Sequence, residues 1–273
     1  MWYHFRLLEN CNLRCSHCYA SSNNRQMRMN KKIFKEAIRS IYLSDTFDIG
    51  ENTIYLSGGE PLLHEEFPFF IAYTYRLFDR INLLTNGIEI PHCIELLNCY
   101  KEKLRVQVSL EGTEEINDSI RGNGVFKQVI SSLLLLQKCG INHSISYTVS
   151  RKNKQCINEM IAIMKYTNSL YNNISPYTGD PELMLSLEEW EEFKEKSKIE
   201  ANKHGIGDMF HGTGACGFIY YCGEYFSGVT INPDGTMTGC ARNPKTLFRH
   251  ELIDEIMYER PKLMRATCMA GKW

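Results

Sequence analysis

The sequence predicts an α/β protein, a partial (β/α)6 barrel followed by a small cysteine-bearing module. Three observations predict it. From the N-terminus to about residue 175, short β-rich runs alternate with longer stretches of helical period, the pattern of repeated βα units around a parallel sheet. Several of these runs end in loops rich in Gly, Ser, Asn and Glu, at the carboxyl ends of parallel strands where such folds place their chemistry. After Gly205 the pattern changes to glycine-rich loops, cysteines and a hairpin-like stretch.

Six strands are expected, at 3–8, 53–56, 81–85, 105–110, 143–149 and 173–176. Between them Ile33, Phe34, Ala37, Ile38 and Ile41 recur at helical spacing, as do Val129, Leu133, Leu134 and Leu136, so helices should cover the outside of the sheet. The run 186–204 reads as a charged amphipathic helix, with a connecting, solvated role expected for it. Beyond it, 229–240 (VTINPDGTMTGC) reads as two short strands joined at Pro-Asp-Gly. A chain of 273 residues holds one large core plus an appendage, and the boundary is expected near residue 205, with a barrel over 1–205 and a module over 206–273.

With 31 basic and 32 acidic residues the formal net charge is -1, which gives no overall pull towards nucleic acid or an anionic membrane. No apolar run approaches the roughly 20 residues of a membrane span, and the first ten residues lack the features of a secretory signal, so a cytoplasmic location is expected. Eleven cysteines in such a chain point to metal or thiol chemistry rather than a disulfide framework. Three stand at 11, 15 and 18, and four at 216, 222, 240 and 268. The other four, Cys93, Cys99, Cys139 and Cys156, fall in or beside predicted helices and are expected to be buried structural thiols.

Cys11, Cys15 and Cys18 follow the first strand in one loop, so three thiolates can point at one metal centre. Three ligands leave one iron of a cubane cluster open, whereas a closed zinc site wants four, for which His17 is the candidate fourth. Four thiolates at Cys216, Cys222, Cys240 and Cys268 suffice to ligate a second cubane fully; structural zinc is the competing reading. His4, His64 and His143 show no ligand-pair spacing and read as structural, and Asp180 is a candidate base in a loop that reads first as surface.

The C-x3-C-x2-C spacing followed by Tyr19, placed after the first strand of a βα barrel, resembles the signature loop of radical S-adenosylmethionine (SAM) enzymes. The resemblance implies a 4Fe-4S cluster on Cys11, Cys15 and Cys18, with SAM chelating the open iron and being cleaved reductively to a 5'-deoxyadenosyl radical that abstracts hydrogen from substrate. Gly58, Gly59, Glu60 and Pro61 resemble the family's GGEP motif, which holds the SAM amino group. Asn86 in Thr85-Asn86-Gly87, Ser109 and Glu111 resemble positions near the SAM ribose, and Arg121 resembles the arginine that pairs with the SAM carboxylate. By the same resemblance Val149 and Tyr19 pack on adenine.

The second cysteine group resembles the auxiliary-cluster site of SPASM and twitch appendages, which implies an auxiliary 4Fe-4S cluster of the shorter, single-cluster type. If only three of those cysteines bind metal, Cys222 is the candidate hydrogen donor. The family resemblance implies modification of a ribosomally made peptide or protein, by a thioether or carbon-carbon crosslink or by epimerisation. It implies an external electron donor of flavodoxin or ferredoxin type. With a strand beginning by residue 3, any leader peptide would be recognised by the barrel or by a separate leader-binding protein. Alternatives are a small-molecule alcohol dehydrogenase of the same type, a formylglycine-forming sulfatase maturase and a non-catalytic metal-binding scaffold.

Overall fold

The computed structural model describes residues 2–18, 26–43, 52–206, 228–238 and 248–249. Six strands, β1 (Trp2–Arg6), β2 (Thr53–Ser57), β3 (Arg80–Thr85), β4 (Leu104–Ser109), β5 (Asn142–Val149) and β6 (Asn173–Pro176), lie in sequence order. Each is parallel to the next. Their bounds agree with the expected ones to within two residues. The connections carry α1 (Lys31–Leu43), α2 (Phe67–Tyr75), α3 (Ile90–Cys99), α4 (Glu114–Arg121), α5 (Val125–Lys138) and α6 (Ile157–Tyr166). A parallel order with helical crossovers is the partial barrel the alternation predicts.

Parallel strands covered on both faces are usually apolar throughout, but these alternate. Tyr3, Phe5, Ile54, Leu56, Val106 and Val108 are buried in the core beneath the helices. Phe5 packs on Phe34 of α1, which in turn meets Phe70 of α2, with ring centroids 4.9 and 4.6 Å apart. The intervening residues, among them His4, Arg6, Tyr55, Gln107 and Ser144, turn to the other, inner face. That face is a polar wall, and the strands feed it from below the loops at their carboxyl ends.

Helix α7 (Leu187–Lys203) forms as the expected amphipathic helix, but it is packed on the barrel rather than being a solvated connector. Ser186 and Glu189 form a reciprocal capping box, with Glu189 N–H donating to Ser186 Oγ at 3.1 Å and Ser186 N–H to Glu189 Oε2 at 2.8 Å. Trp190, Phe193, Ser197 and Ala201, at spacings of three and four, are buried. Trp190 stacks on Phe193 at 5.5 Å, and Phe193 meets Tyr147 of β5 at 6.3 Å. A narrow apolar stripe thus runs along a helix otherwise dense in Glu and Lys.

The hairpin forms as expected, as β7 (Gly228–Ile231) and β8 (Thr236–Thr238), with β9 (Phe248–Arg249) antiparallel to β8. Its place was not legible in the sequence: β7 lies parallel to β1, with Trp2 opposite Gly228 and Phe5 opposite Ile231. It thereby covers the outer edge of β1, whose backbone groups would otherwise lack partners. Of the four scattered cysteines, Cys156 alone is buried; Cys93 and Cys139 are partly buried. Cys99 is exposed because it ends α3 on the solvent side, its thiol donating to the Glu95 carbonyl. His64 and His143 are held by backbone groups, as a structural role requires.

Replacing Trp190 by Ala should destabilise the protein by about 3–5 kcal/mol in denaturant unfolding. Leu187→Ala, at a half-exposed position on the same helix, should stay within about 0.5 kcal/mol.

Candidate active site

The segment Leu7–Asn10, which leads from β1 into the cysteine loop, is bonded on both sides. Towards β2, Leu7 N–H donates to Ser57 O (2.8 Å), Gly59 N–H to Leu8 O (2.8 Å) and Glu60 N–H to Asn10 O (2.9 Å). On the other side Met29 N–H donates to Leu7 O (2.8 Å) and Glu9 N–H to Met27 O (3.0 Å). This close approach explains both glycines. A Cβ on Gly58, where φ is +152°, would lie 2.4 Å from Leu8 O, and one on Gly59 would lie 2.1 Å from Asn10 O. The glycines therefore admit the chain's own cysteine loop.

Glu60 is fully buried and ties three elements together. Its Oε1 accepts from Thr85 Oγ1 (2.7 Å) and Leu62 N–H (3.2 Å), and its Oε2 from Asn86 N–H (2.8 Å). Burial pushes its carboxyl up to about 7, against the pull of these donors. Pro61 follows as the first residue of a single 3-10 turn. Asn86 reaches back to the cysteine loop: its Nδ2 donates to Asn12 Oδ1 at 2.7 Å and stands 3.7 Å from Cys11 Sγ. Leu13 N–H also points at that sulfur, at 3.4 Å.

On the opposite side of the loop, Ser16 N–H donates to Ile120 O of α4 at 2.8 Å. Beneath it Arg121 Nη2 donates to Glu111 Oε1 at 2.7 Å, with both side chains buried. Glu111 Oε2 accepts from Thr148 N–H of β5 (2.9 Å), and His17 Nε2 lies 3.4 Å from Oε1. Burial works to raise the Glu111 carboxyl, but Arg121 and His17 outweigh it and hold it below the usual range. Asn153, which is fully buried, donates to the carbonyls of Glu111 and Thr148 (both 3.0 Å) and so fixes the β4 and β5 ends together. Nothing in the sequence singled out Asn153.

Cys11, Cys15 and Cys18 are all partly buried, and burial raises the thiols of Cys11 and Cys15. The structure gathers the expected residues Gly58, Gly59, Glu60, Pro61, Asn86, Glu111 and Arg121 around them. Ser109 ends β4 on the inner face, in register with Ser146 of β5. The Val149 side chain is fully buried with the helix-facing core, and Thr148 is the neighbour turned to the inner face. Tyr19, Cys216, Cys222, Cys240 and Cys268 lie outside the described residues. Asp180 is exposed, and its carboxylate accepts from Glu182 N–H within a turn.

Arg121 Nε and His17 Nδ1 are buried at the site with no partner among the described residues. An arginine N–H left open beside a thiol loop suits an incoming carboxylate. Three thiols with N–H groups aimed at Cys11 Sγ suit a cluster, whose sulfur ligands accept such bonds. Among the described residues no three His, Cys, Asp or Glu side chains converge on a single-ion site, and His17 is turned to Glu111. His17, the candidate fourth ligand of a closed zinc site, is thus engaged by Glu111, which leaves the three thiols as the ligand set that an iron-sulfur cluster with one open iron uses.

Residues 6–164 match the Radical SAM superfamily, and the chain belongs to it. The cofactors of that family are a 4Fe-4S cluster and SAM. The chain is 27% identical to the antilisterial bacteriocin subtilosin biosynthesis protein AlbA of Bacillus subtilis, over 98% of this chain and 64% of AlbA. It is 29% identical to the mycofactocin maturase MftC of Mycolicibacterium smegmatis, over 56% of this chain and 38% of MftC. Its fold is similar to that of Streptococcus suis SuiB bound to the precursor peptide SuiA, with TM-score 0.80, 15% identity and coverage of 95% of this chain and 65% of SuiB. It is also similar to anSMEcpe with bound AdoMet, with TM-score 0.76, 18% identity and coverage of 100% and 84%. The chain thus spans under two thirds of the length of AlbA, MftC and SuiB.

Glu111→Ala leaves Arg121 buried without its counter-charge and should cost about 3–5 kcal/mol in urea unfolding. Arg151→Ala removes an exposed pair with Glu189 and should cost at most about 1 kcal/mol. Gly59→Ala should lower iron uptake on anaerobic reconstitution, read by metal analysis, because the loop can no longer seat.

Proposed function

We propose that this chain is a radical SAM enzyme that modifies a ribosomally made peptide, by crosslinking or by inverting a stereocentre. The observation that carries the reading is the three-cysteine loop locked against Gly58–Glu60, in a chain whose similarity to a bacteriocin biosynthesis protein extends over 98% of its length. Supporting it, a sporulation killing factor maturation protein, SkfB, is 27% identical over 57% of this chain, and the structures of similar fold include peptide-bound forms.

Cys11, Cys15 and Cys18 would hold the cluster, and Arg121 and the rim around Glu60 and Asn86 would hold SAM. When bound, the pair supplies a 5'-deoxyadenosyl radical able to abstract hydrogen from an unactivated carbon. The protein's own part is geometric. Glu60 clamps the β2 and β3 ends, the Glu111–Arg121 pair clamps the β4 and β5 ends, and the loop is fixed between them. The inner face beneath the rim receives the substrate. We further propose that residues 206–273 form the auxiliary-cluster module with Cys216, Cys222, Cys240 and Cys268, Cys222 being the hydrogen donor if it is left unligated. An external low-potential electron donor, and a leader-binding partner, belong to this reading. No helix among the described residues is long and apolar enough to cross a membrane.

Anaerobic reconstitution should yield about eight irons per chain, and about four if the auxiliary site is unfilled. Dithionite should then drive 5'-deoxyadenosine formation from SAM, and Cys15→Ala should abolish it. A fully loaded protein that leaves SAM intact would remove the radical reading. Co-expression with a peptide encoded beside the gene, followed by mass spectrometry, separates the outcomes. Loss of two hydrogens marks a crosslink; unchanged mass with solvent deuterium incorporated marks epimerisation; an untouched peptide beside an oxidised small alcohol would overturn the peptide assignment.

A further inference from the structure

Arg6 is the last residue of β1 and lies on the inner face, one residue row below the rim that carries the cysteine loop. Its row runs across the sheet through Ser57, Leu84, Gln107 and Ser144 by strand register. Among the described residues the guanidinium makes one hydrogen bond, from Nη1 to Asn232 Oδ1 at 3.2 Å, while its Nε is buried with no acceptor. Among the described residues no Asp or Glu pairs with it. The Ser144 hydroxyl in the same row is also buried without a partner.

Asn232 presents its oxygen to Arg6 for a definite reason. Its Nδ2 donates to Thr236 Oγ1 at 3.1 Å, and that hydroxyl in turn donates to Asp234 Oδ1 at 2.6 Å. The hairpin therefore orients a neutral acceptor at the guanidinium, and the nearest carboxylate in the chain of bonds stays two links beyond that acceptor. A neighbour feels the uncompensated charge: burial first, and then Arg6, depress His4 to about 4, so His4 adds no second cation. An arginine with open N–H groups in a partly desolvated wall is a fork suited to a carboxylate.

We propose that Arg6 is a substrate-recognition residue that takes a carboxylate of the peptide, an Asp or Glu side chain or the C-terminus, on the inner face beneath the rim, with Asn232 as its positioning residue. This rests on the peptide-modifying reading above. It names the chemistry the substrate must carry near its reacting residue.

The test uses the reconstituted holoenzyme with SAM bound, titrated calorimetrically at fixed ionic strength with three probes. N-acetyl-glutamate α-amide carries only a side-chain carboxylate, N-acetyl-alanyl-alanine only a terminal one, and N-acetyl-glutamine amide carries none. At least one carboxylate probe should bind about tenfold or more tightly than the neutral one, and which of them does so identifies the source. Arg6→Gln should erase the preference, and Arg6→Lys should keep part of it. Asn232→Asp should erase it as well while leaving the arginine in place, because it supplies the missing counter-charge; it carries the comparison if Arg6→Gln does not fold. No preference in the natural protein, weak binding of all three probes included, or a preference that survives Asn232→Asp, would overturn the proposal. Formation of 5'-deoxyadenosine by the same natural preparation is read separately. Its absence would sink the radical reading without touching a carboxylate preference measured in the absence of turnover.

Discussion

The site depends on one backbone contact, the seating of Leu8–Asn10 on Gly58–Glu60. Two hydrogen bonds and two missing side chains bring the run into Cys11 within touching distance of the turn after β2. Everything around the loop is then built to keep that contact in place. Glu60, whose own N–H makes one of the bonds, uses its carboxylate to hold the β3 end, and the Asn86 amide returns to the loop. A cluster on such a loop is positioned by rigid strands, which holds it more closely than a loop closed only on itself.

The second organising feature is the division of the sheet into two faces. Core residues at every other position pack under the helices, and polar residues between them form the inner wall. Buried polar groups are costly unless paired, so each one on that wall calls for an explanation. His4 has Ser57, and Glu111 has Arg121, Thr148 and His17. Among the described residues Arg6 has a neutral amide alone, which is why we propose it as the place where a substrate carboxylate binds.

The sequence made the six strands, the hairpin and the three-cysteine loop legible because each follows from short-range pattern: hydrophobic period, turn residues and thiol spacing. It also pointed to Gly58, Gly59, Glu60, Asn86, Glu111 and Arg121. Their local roles were another matter. The glycines make room for backbone from residues 8–10, and Glu111 and Arg121 bind each other, because such long-range partners leave no trace in local spacing. The same holds for β7 beside β1, and for α7, whose amphipathic pattern shows an apolar stripe but not that it packs on Tyr147 of β5. Arg6 and Asn153 were missed because a lone arginine in a strand and a lone asparagine in a turn carry no signal until their neighbours are known.

The most direct measurement of the central claim is electron-nuclear double resonance on the reduced, anaerobically reconstituted protein, with SAM labelled by oxygen-17 in its carboxylate and nitrogen-15 in its amino group. Hyperfine coupling of both labels to the cluster is expected, as required if three cysteines leave one iron open beside the Arg121 rim. Saturating SAM with neither coupling present would contradict it.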